Sequence, residues 1–202
     1  MEFLLSYFVD NNIYVKILII GDPKVGKTIF NNRIKEEGDL NYQIFYQKEK
    51  ENSYNPTIVE YVIKLIKYKN KYFKFMIWDI SGDKGYQDKG EYYSRGAEAI
   101  LIFYDALNRQ SFERAQDLYH RFITLNKKKE TYFLVRNKYE LALNSENDDI
   151  NFVPDEEAME FATQNKIIFC HSSQFEKYET GSNCIFEYIC NKICKRMEGE
   201  QK

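Results

Sequence analysis

Gly21-Asp22-Pro23-Lys24-Val25-Gly26-Lys27-Thr28 follows directly on the apolar run Ile13-Tyr14-Val15-Lys16-Ile17-Leu18-Ile19-Ile20 and precedes Ile29-Phe30-Asn31-Asn32-Arg33-Ile34-Lys35. The octet fits G-x-x-x-x-G-K-[ST]. The run before it reads as a buried strand, and the residues after it read as the first turns of a helix. Strand, glycine loop and helix start together form the setting in which this pattern cradles phosphates. The glycines let successive backbone N–H groups turn inward on a chain of phosphates. The helix N-terminus adds its partial positive charge. Lys27 can reach the β- and γ-phosphates of a nucleotide, and the Thr28 hydroxyl can ligate Mg²⁺.

Outward from this loop, strand and helix patterns alternate. Residues 59–68 alternate apolar and polar, Lys69-Asn70-Lys71 is a turn, and residues 72–79 alternate again, which predicts a β-hairpin. Further apolar runs lie at 99–104, 131–135 and 166–170, separated by helical patterns at 109–125, 155–164 and 180–197. The polar stretch 35–55 reads as a loop. This order predicts an α/β fold with a mostly parallel sheet between helices, its binding edge at the carboxyl ends of the strands. With 202 residues, no internal repeat and no linker, the chain is expected to be one domain over 1–202. Its short apolar N-terminal extension, 1–12, lacks the basic start and cleavage site of a signal peptide and is expected to pack as an extra strand or short helix.

Bulk properties exclude several classes. A net charge of −2 does not suggest a protein held to nucleic acid by phosphate contacts, and none is expected as a partner. No stretch approaches the length of a membrane-spanning helix, so a cytoplasmic location is expected, reaching membranes only through partners. Cys170, Cys184, Cys190 and Cys194 read as buried thiols in a reducing compartment; the last three lie along one C-terminal helical pattern with no histidine at ligand spacing beside them.

Two further segments carry chemistry. Trp78-Asp79-Ile80-Ser81-Gly82 ends the second hairpin strand with an Asp suited to a Mg²⁺ site and a Gly whose amide could face a γ-phosphate. Asn137-Lys138-Tyr139-Glu140 follows the strand 131–135, where an Asn and an acidic residue could read a nucleobase edge. Together with Tyr92-Tyr93-Ser94-Arg95-Gly96-Ala97 and Tyr104-Asp105-Ala106-Leu107-Asn108-Arg109-Gln110-Ser111-Phe112-Glu113, these segments resemble the small Ras-like GTPases, and the Rab family above all.

The resemblance runs over nearly the whole chain. It implies a P-loop NTPase fold with a Ras-like six-stranded, mostly parallel sheet and helices on both faces. It also implies Mg²⁺ as cofactor and GTP or GDP as ligand. Asp22, Pro23, Lys24, Val25, Gly26, Lys27, Thr28 and Ile29 would line the phosphates. Thr28 and Thr57 would ligate the metal, with Asp79 behind a water. Gly82 would offer its amide to the γ-phosphate. Asn137 and Glu140 would read guanine, Lys138 would cover it, and Ser172-Ser173-Gln174 would sit beside the base. Lys27, Thr57 and Asp83 are the candidate catalytic set. Effector, exchange-factor and GTPase-activating proteins would bind through the switch loops, in a vesicle-trafficking role.

The departures from that family are as informative as the match. Asp83 stands where most of the family has the glutamine that orients the attacking water, so slow hydrolysis is expected. The alternative is a scaffold that stays loaded with nucleotide and does not usefully hydrolyse it. Pro23 removes a backbone donor from the phosphate loop. Glu140 replaces an Asp, and the stretch between Thr28 and Thr57 is longer than usual. Tyr42, Phe45, Tyr46 and Tyr54 are equal candidates for stacking on the base. The final residues, Cys194-Lys195-Arg196-Met197-Glu198-Gly199-Glu200-Gln201-Lys202, carry neither a CaaX box nor a terminal cysteine pair, so no lipid anchor is expected.

Overall fold

The computed structural model describes residues 12–36, 45–49, 59–83, 87–126, 130–138, 151–172 and 182–199. In chain order the elements are β1 (Asn12–Gly21), α1 (Lys27–Glu36), β2 (Phe45–Glu49), β3 (Val59–Tyr68), β4 (Lys71–Ile80), α2 (Gln87–Ser94) and β5 (Ala99–Asp105). They continue with α3 (Arg109–Asn126), β6 (Thr131–Asn137), α4 (Asp155–Asn165), β7 (Ile168–Ser172) and α5 (Ser182–Gly199).

The strands form one sheet in the order β2-β3-β4-β1-β5-β6-β7. From β4 to β7 every pairing is parallel, and β2 and β3 are added antiparallel at one edge. Alternation along β1 sends Val15, Ile17 and Ile19 into one core with α1 and α5, and Leu18 and Ile20 into a second core with α3 and α4. β5 and β6 are buried along their whole length, which is what strands covered on both faces require. The expected architecture, a mostly parallel sheet with helices on both faces, is therefore the one observed.

The elements differ from expectation at three places. The sheet has a seventh strand, β2, inside the stretch expected to be a loop. Its polar composition hid it, because pairing to the edge of β3 is made by backbone groups and needs no apolar face. Helix α2 gave no apolar period and carries a glycine in mid-helix. A Cβ on Gly90 would lie 3.2 Å from the Phe122 ring of α3, so the glycine permits close helix packing. The last strand begins two residues later than expected, at Ile168. Lys166, read as strand, adopts a left-handed φ of 57° that ends α4, its N–H donating to Thr163 O at 3.2 Å. Of the N-terminal extension only Asn12 is described, and it opens β1.

Because β1, β4, β5, β6 and β7 run in parallel, their carboxyl ends, Gly21, Ile80, Asp105, Asn137 and Ser172, share one edge of the sheet. β1 lies between β4 and β5, so the chain departs to opposite sides of it. That is where such sheets open a ligand crevice.

Candidate functional site

The phosphate loop leaves β1 at Gly21 and enters α1 at Lys27. Gly21 (φ 144°) and Gly26 (φ 98°) take backbone angles that side chains rarely adopt, and Lys24 takes a left-handed φ of 65°. A Cβ on Gly21 would strike the backbone carbonyl of Phe103 on the neighbouring strand, so only glycine fits at this closest approach. Lys27, 6% exposed, folds back over its own loop and donates to Gly21 O at 2.8 Å and Asp22 O at 2.7 Å. Burial pulls its ammonium below the usual lysine range, and the carboxylates of Asp79, Asp22 and Asp83 pull the other way. The lysine is thus fixed in place before any anion arrives. Val25 is buried, while Pro23, Lys24, Thr28 and Ile29 are exposed along the mouth of the loop.

Parallel register sets Ile19 of β1 beside Asp79 of β4, so the end of β4 meets the start of α1. There the Thr28 hydroxyl donates to Asp79 Oδ2 at 3.1 Å, with the Asp79 side chain nearly buried. A hydroxyl and a carboxylate held together at the phosphate loop are oxygen ligands of the kind Mg²⁺ takes. The donor set therefore fits the metal. Thr57, the other expected ligand, lies outside the described residues.

After Asp79 the chain turns across the phosphate loop. A Cβ on Gly82 would come within 2.5 Å of Gly21 O and the Asp22 carbonyl carbon, and closer still to Pro23 N. Gly82 is therefore pressed onto the loop. Pro23 has no N–H, so this contact strands no backbone donor. Asp83, the next residue, is exposed, and its Oδ2 accepts from the Ser81 hydroxyl at 3.3 Å. It lines a cavity of about 430 Å³ beside the phosphate loop, together with Asp22, Pro23 and Gly82 and with Glu113, Arg114 and Asp117 of α3. Arg114 Nε stands 3.8 Å from Asp22 Oδ1. Among the described residues lining this cavity, carboxylates outnumber arginine.

The base side is built on β5, β6 and β7. Asn137 ends β6, 1% exposed, and its Nδ2 donates to Val25 O of the phosphate loop at 2.6 Å. Its Oδ1 is buried with no hydrogen-bond partner among the described residues. A buried acceptor left unpaired is costly, which marks this atom as one that a ligand donor would satisfy. Lys138 takes a left-handed φ of 60°, and its ammonium pairs with the Asp105 carboxylate at the end of β5. Ser172 is buried and stands in register with Asn137. Glu140, Ser173 and Gln174 lie outside the described residues, as do Tyr42 and Tyr54. The backbone of Phe45 and Tyr46 is described, in β2.

Sequence reading missed several residues near the site. Asp105 was read only as part of the family-like segment 104–113 and given no role, although it anchors Lys138. Arg114 and Arg136 had no local signal. An aromatic ladder also escaped notice. Tyr61 stacks on Trp78 with 5.0 Å between ring centres, Trp78 on Tyr93 at 5.2 Å, and Tyr92 meets Tyr93 edge-on at 5.3 Å. It runs from β3 over β4 to α2, half-buried, with Tyr92 65% exposed. Its residues are far apart in sequence and only the hairpin register aligns them.

The phosphate loop, the Thr28–Asp79 pair and Asn137 at the next strand end belong to the chemistry of a nucleotide-binding P-loop protein. Residues 16–195 match the family model described as Ras family, which covers most of the chain, and the chain belongs to that family. Its relatives are of Rab type. It is 28% identical over 187 residues to the human Ras-related protein Rab-3D, spanning 90% of this chain and 75% of the relative. It is 30% identical over 184 residues to the Ras-related protein RABA4d of Arabidopsis thaliana, with the same coverage. To the Ras-related protein Rab-18 of Lymnaea stagnalis it is 28% identical over 180 residues, spanning 89% and 80%. The chain is a Rab-like small GTPase.

Proposed function

We propose that this Rab-like protein is a guanine-nucleotide switch that binds GTP and GDP with Mg²⁺ and hydrolyses GTP slowly. The observation that carries this reading is the bond from Asn137 to Val25, which ties a base-reading residue to the phosphate loop and leaves Oδ1 without a hydrogen-bond partner among the described residues. One ligand with a base at one end and phosphates at the other suits that arrangement. Lys27 and the loop from Asp22 to Ile29 hold the phosphates, Gly82 offers its amide to the γ-phosphate, and Thr28, Thr57 and Asp79 hold the metal. Bound there, Mg²⁺ supplies positive charge against the phosphate oxygens. Asn137, Glu140 and Ser172 to Gln174 surround the base, with Lys138 over it. Water attacks the γ-phosphorus, the bond to the β–γ bridging oxygen breaks, and GDP and phosphate result.

Asp83 sets the rate on this reading. Its carboxylate is shorter than a glutamine side chain and carries a charge that opposes an anionic reaction centre, so the water is held less well. Partners bind through the switch loops and the aromatic ladder Tyr61–Trp78–Tyr93–Tyr92, whose exposed end, Tyr92, suits a protein interface. Among the described residues no helix is long and apolar enough to cross a membrane. A cytoplasmic role in vesicle trafficking, with membranes reached through partners, accords with the Rab-type relatives.

The nucleotide that co-purifies, released by denaturation and separated by chromatography, tests the reading. GDP supports a cycling switch. GTP supports the second reading, a permanently loaded scaffold, which Asp83 favours. An adenine nucleotide overturns the base assignment.

A further inference from the structure

The neighbour of Asn137 in β6 is a fully buried arginine that neither the phosphate nor the metal chemistry uses. Arg136 is 1% exposed. Alternation along the strand sends Asn137 toward the phosphate loop and Arg136 to the opposite face, toward α4. There Arg136 Nη1 pairs with the carboxylate of Asp155, the first residue of α4. Nη2 donates to Val153 O at 3.2 Å, and the guanidinium lies 5.4 Å from the centre of the Phe152 ring. The same Asp155 carboxylate is 3.8 Å from His171 Nε2.

Register explains why these groups meet. Arg136 is paired with His171 and Asn137 with Ser172, so the cluster and the base-side residues are successive rungs of one ladder. The cluster also joins the two ends of the chain segment that leaves β6 after Asn137 and returns at Phe152. Backbone bonds from Ala106 N to Asn137 O and from Val153 N to Ala106 O, each 3.0 Å, close the same junction. Burying the guanidinium of a pair whose carboxylate stays 31% exposed is a poor way to gain stability, because the charge loses its hydration and apolar groups of the same volume serve as well. A forked guanidinium, in contrast, fixes several groups in direction at once.

We propose that Arg136, acting through Asp155, is a positioning residue for base recognition. It holds Asn137 and Ser172 in the alignment that reads the base, and so sets how long the nucleotide stays and how strongly guanine is preferred to adenine. The inference rests on the guanine-nucleotide reading above. Arg136 touches no ligand on this account.

Full-length protein loaded with a ribose-labelled fluorescent GDP tests it, with release measured after adding excess GDP and selectivity measured by GDP-against-ADP competition. Arg136→Met is expected to release the label about tenfold faster and to narrow the GDP preference, as for loss of a coupled network contact. Asp155→Asn shifts both in the same direction by less, and decides the matter if Arg136→Met does not fold. Ile189→Ala, in the core beneath α5, lowers the melting temperature and leaves both readouts at parent values. Parent-like release and selectivity in the Arg136 and Asp155 variants overturn the proposal. So does an equal shift in Ile189→Ala, since general loosening then accounts for it. A parent with no preference for GDP overturns the guanine reading as well, which separates the two failures.

Discussion

Asp79 and Asp83 lie four residues apart at the end of one hairpin strand, and their surroundings differ completely. Asp79 is nearly buried, held by parallel register beside β1 and bonded to Thr28. Asp83 is exposed, and its described hydrogen bonds are to Ser81, two residues away. Between them Gly82 is pinned against the phosphate loop by backbone contacts that admit no side chain. On the proposed function the pinned part would hold a nucleotide, and the exposed part would orient water. On that reading holding and hydrolysing rest on different packing, coupled through the charge of Asp83 acting on Lys27, and a change at Asp83 is expected to alter hydrolysis more than holding.

The largest effects are expected at the rigid end. Lys27→Ala removes the cation that spans the loop, and equilibrium binding of labelled GTP with Mg²⁺ is expected to weaken about 10²–10³-fold, the scale for truncating a buried charged partner. Parent-like affinity would mean that the loop binds no phosphate. Thr28→Asn should abolish the gain in affinity that Mg²⁺ confers, read by titrating nucleotide with and without a chelator. A variant that still responds fully to the metal removes Thr28 from its ligands.

Gly82→Ala tests the pin between the two. Its Cβ overlaps backbone that cannot yield, so thermal unfolding should report a loss of about 1–3 kcal/mol, and the variant should no longer distinguish GTP from GDP in affinity. Unchanged stability together with unchanged discrimination would show that Gly82 does not depend on the close approach.

Away from the site, effects should be small. Arg109 donates to both oxygens of Glu157, and that bonding holds the Glu157 carboxyl below its usual range. A depressed carboxylate stabilises the fold above its unfolded pKa, and the contribution fades as pH falls through the folded pKa. Glu157→Gln should therefore cost less than about 1 kcal/mol at neutral pH, the range of exposed pairs, and nothing in strong acid. A cost that persists in acid would assign Glu157 a role other than pairing.

These differences track what a sequence can reveal. The phosphate loop was legible because its chemistry is contiguous: glycines, lysine and threonine occupy one octet between a strand and a helix. The parallel sheet was legible from its apolar runs, since strands buried on both faces must be apolar. Strand β2 was not, because an edge strand pairs through its backbone and can be polar. Asp105, Arg114 and Arg136 were not, because each acts on a partner set by strand register or helix packing many residues away. Lys166 was misread as strand because its φ of 57° at the end of α4 leaves no mark in composition. Asp83 was legible only against a family pattern. Its exposure and its local bonds to Ser81 are properties of the folded chain.

Single-turnover GTP hydrolysis and nucleotide release, followed side by side in the isolated parent and in Asp83→Gln, separate the two roles. With Asp83 as the limit on turnover and the phosphate site supported independently, Asp83→Gln hydrolyses GTP faster than the parent while GDP release stays at the parent rate. Hydrolysis that stays level or falls in Asp83→Gln, or release that changes along with it, would contradict the separation of holding from hydrolysing.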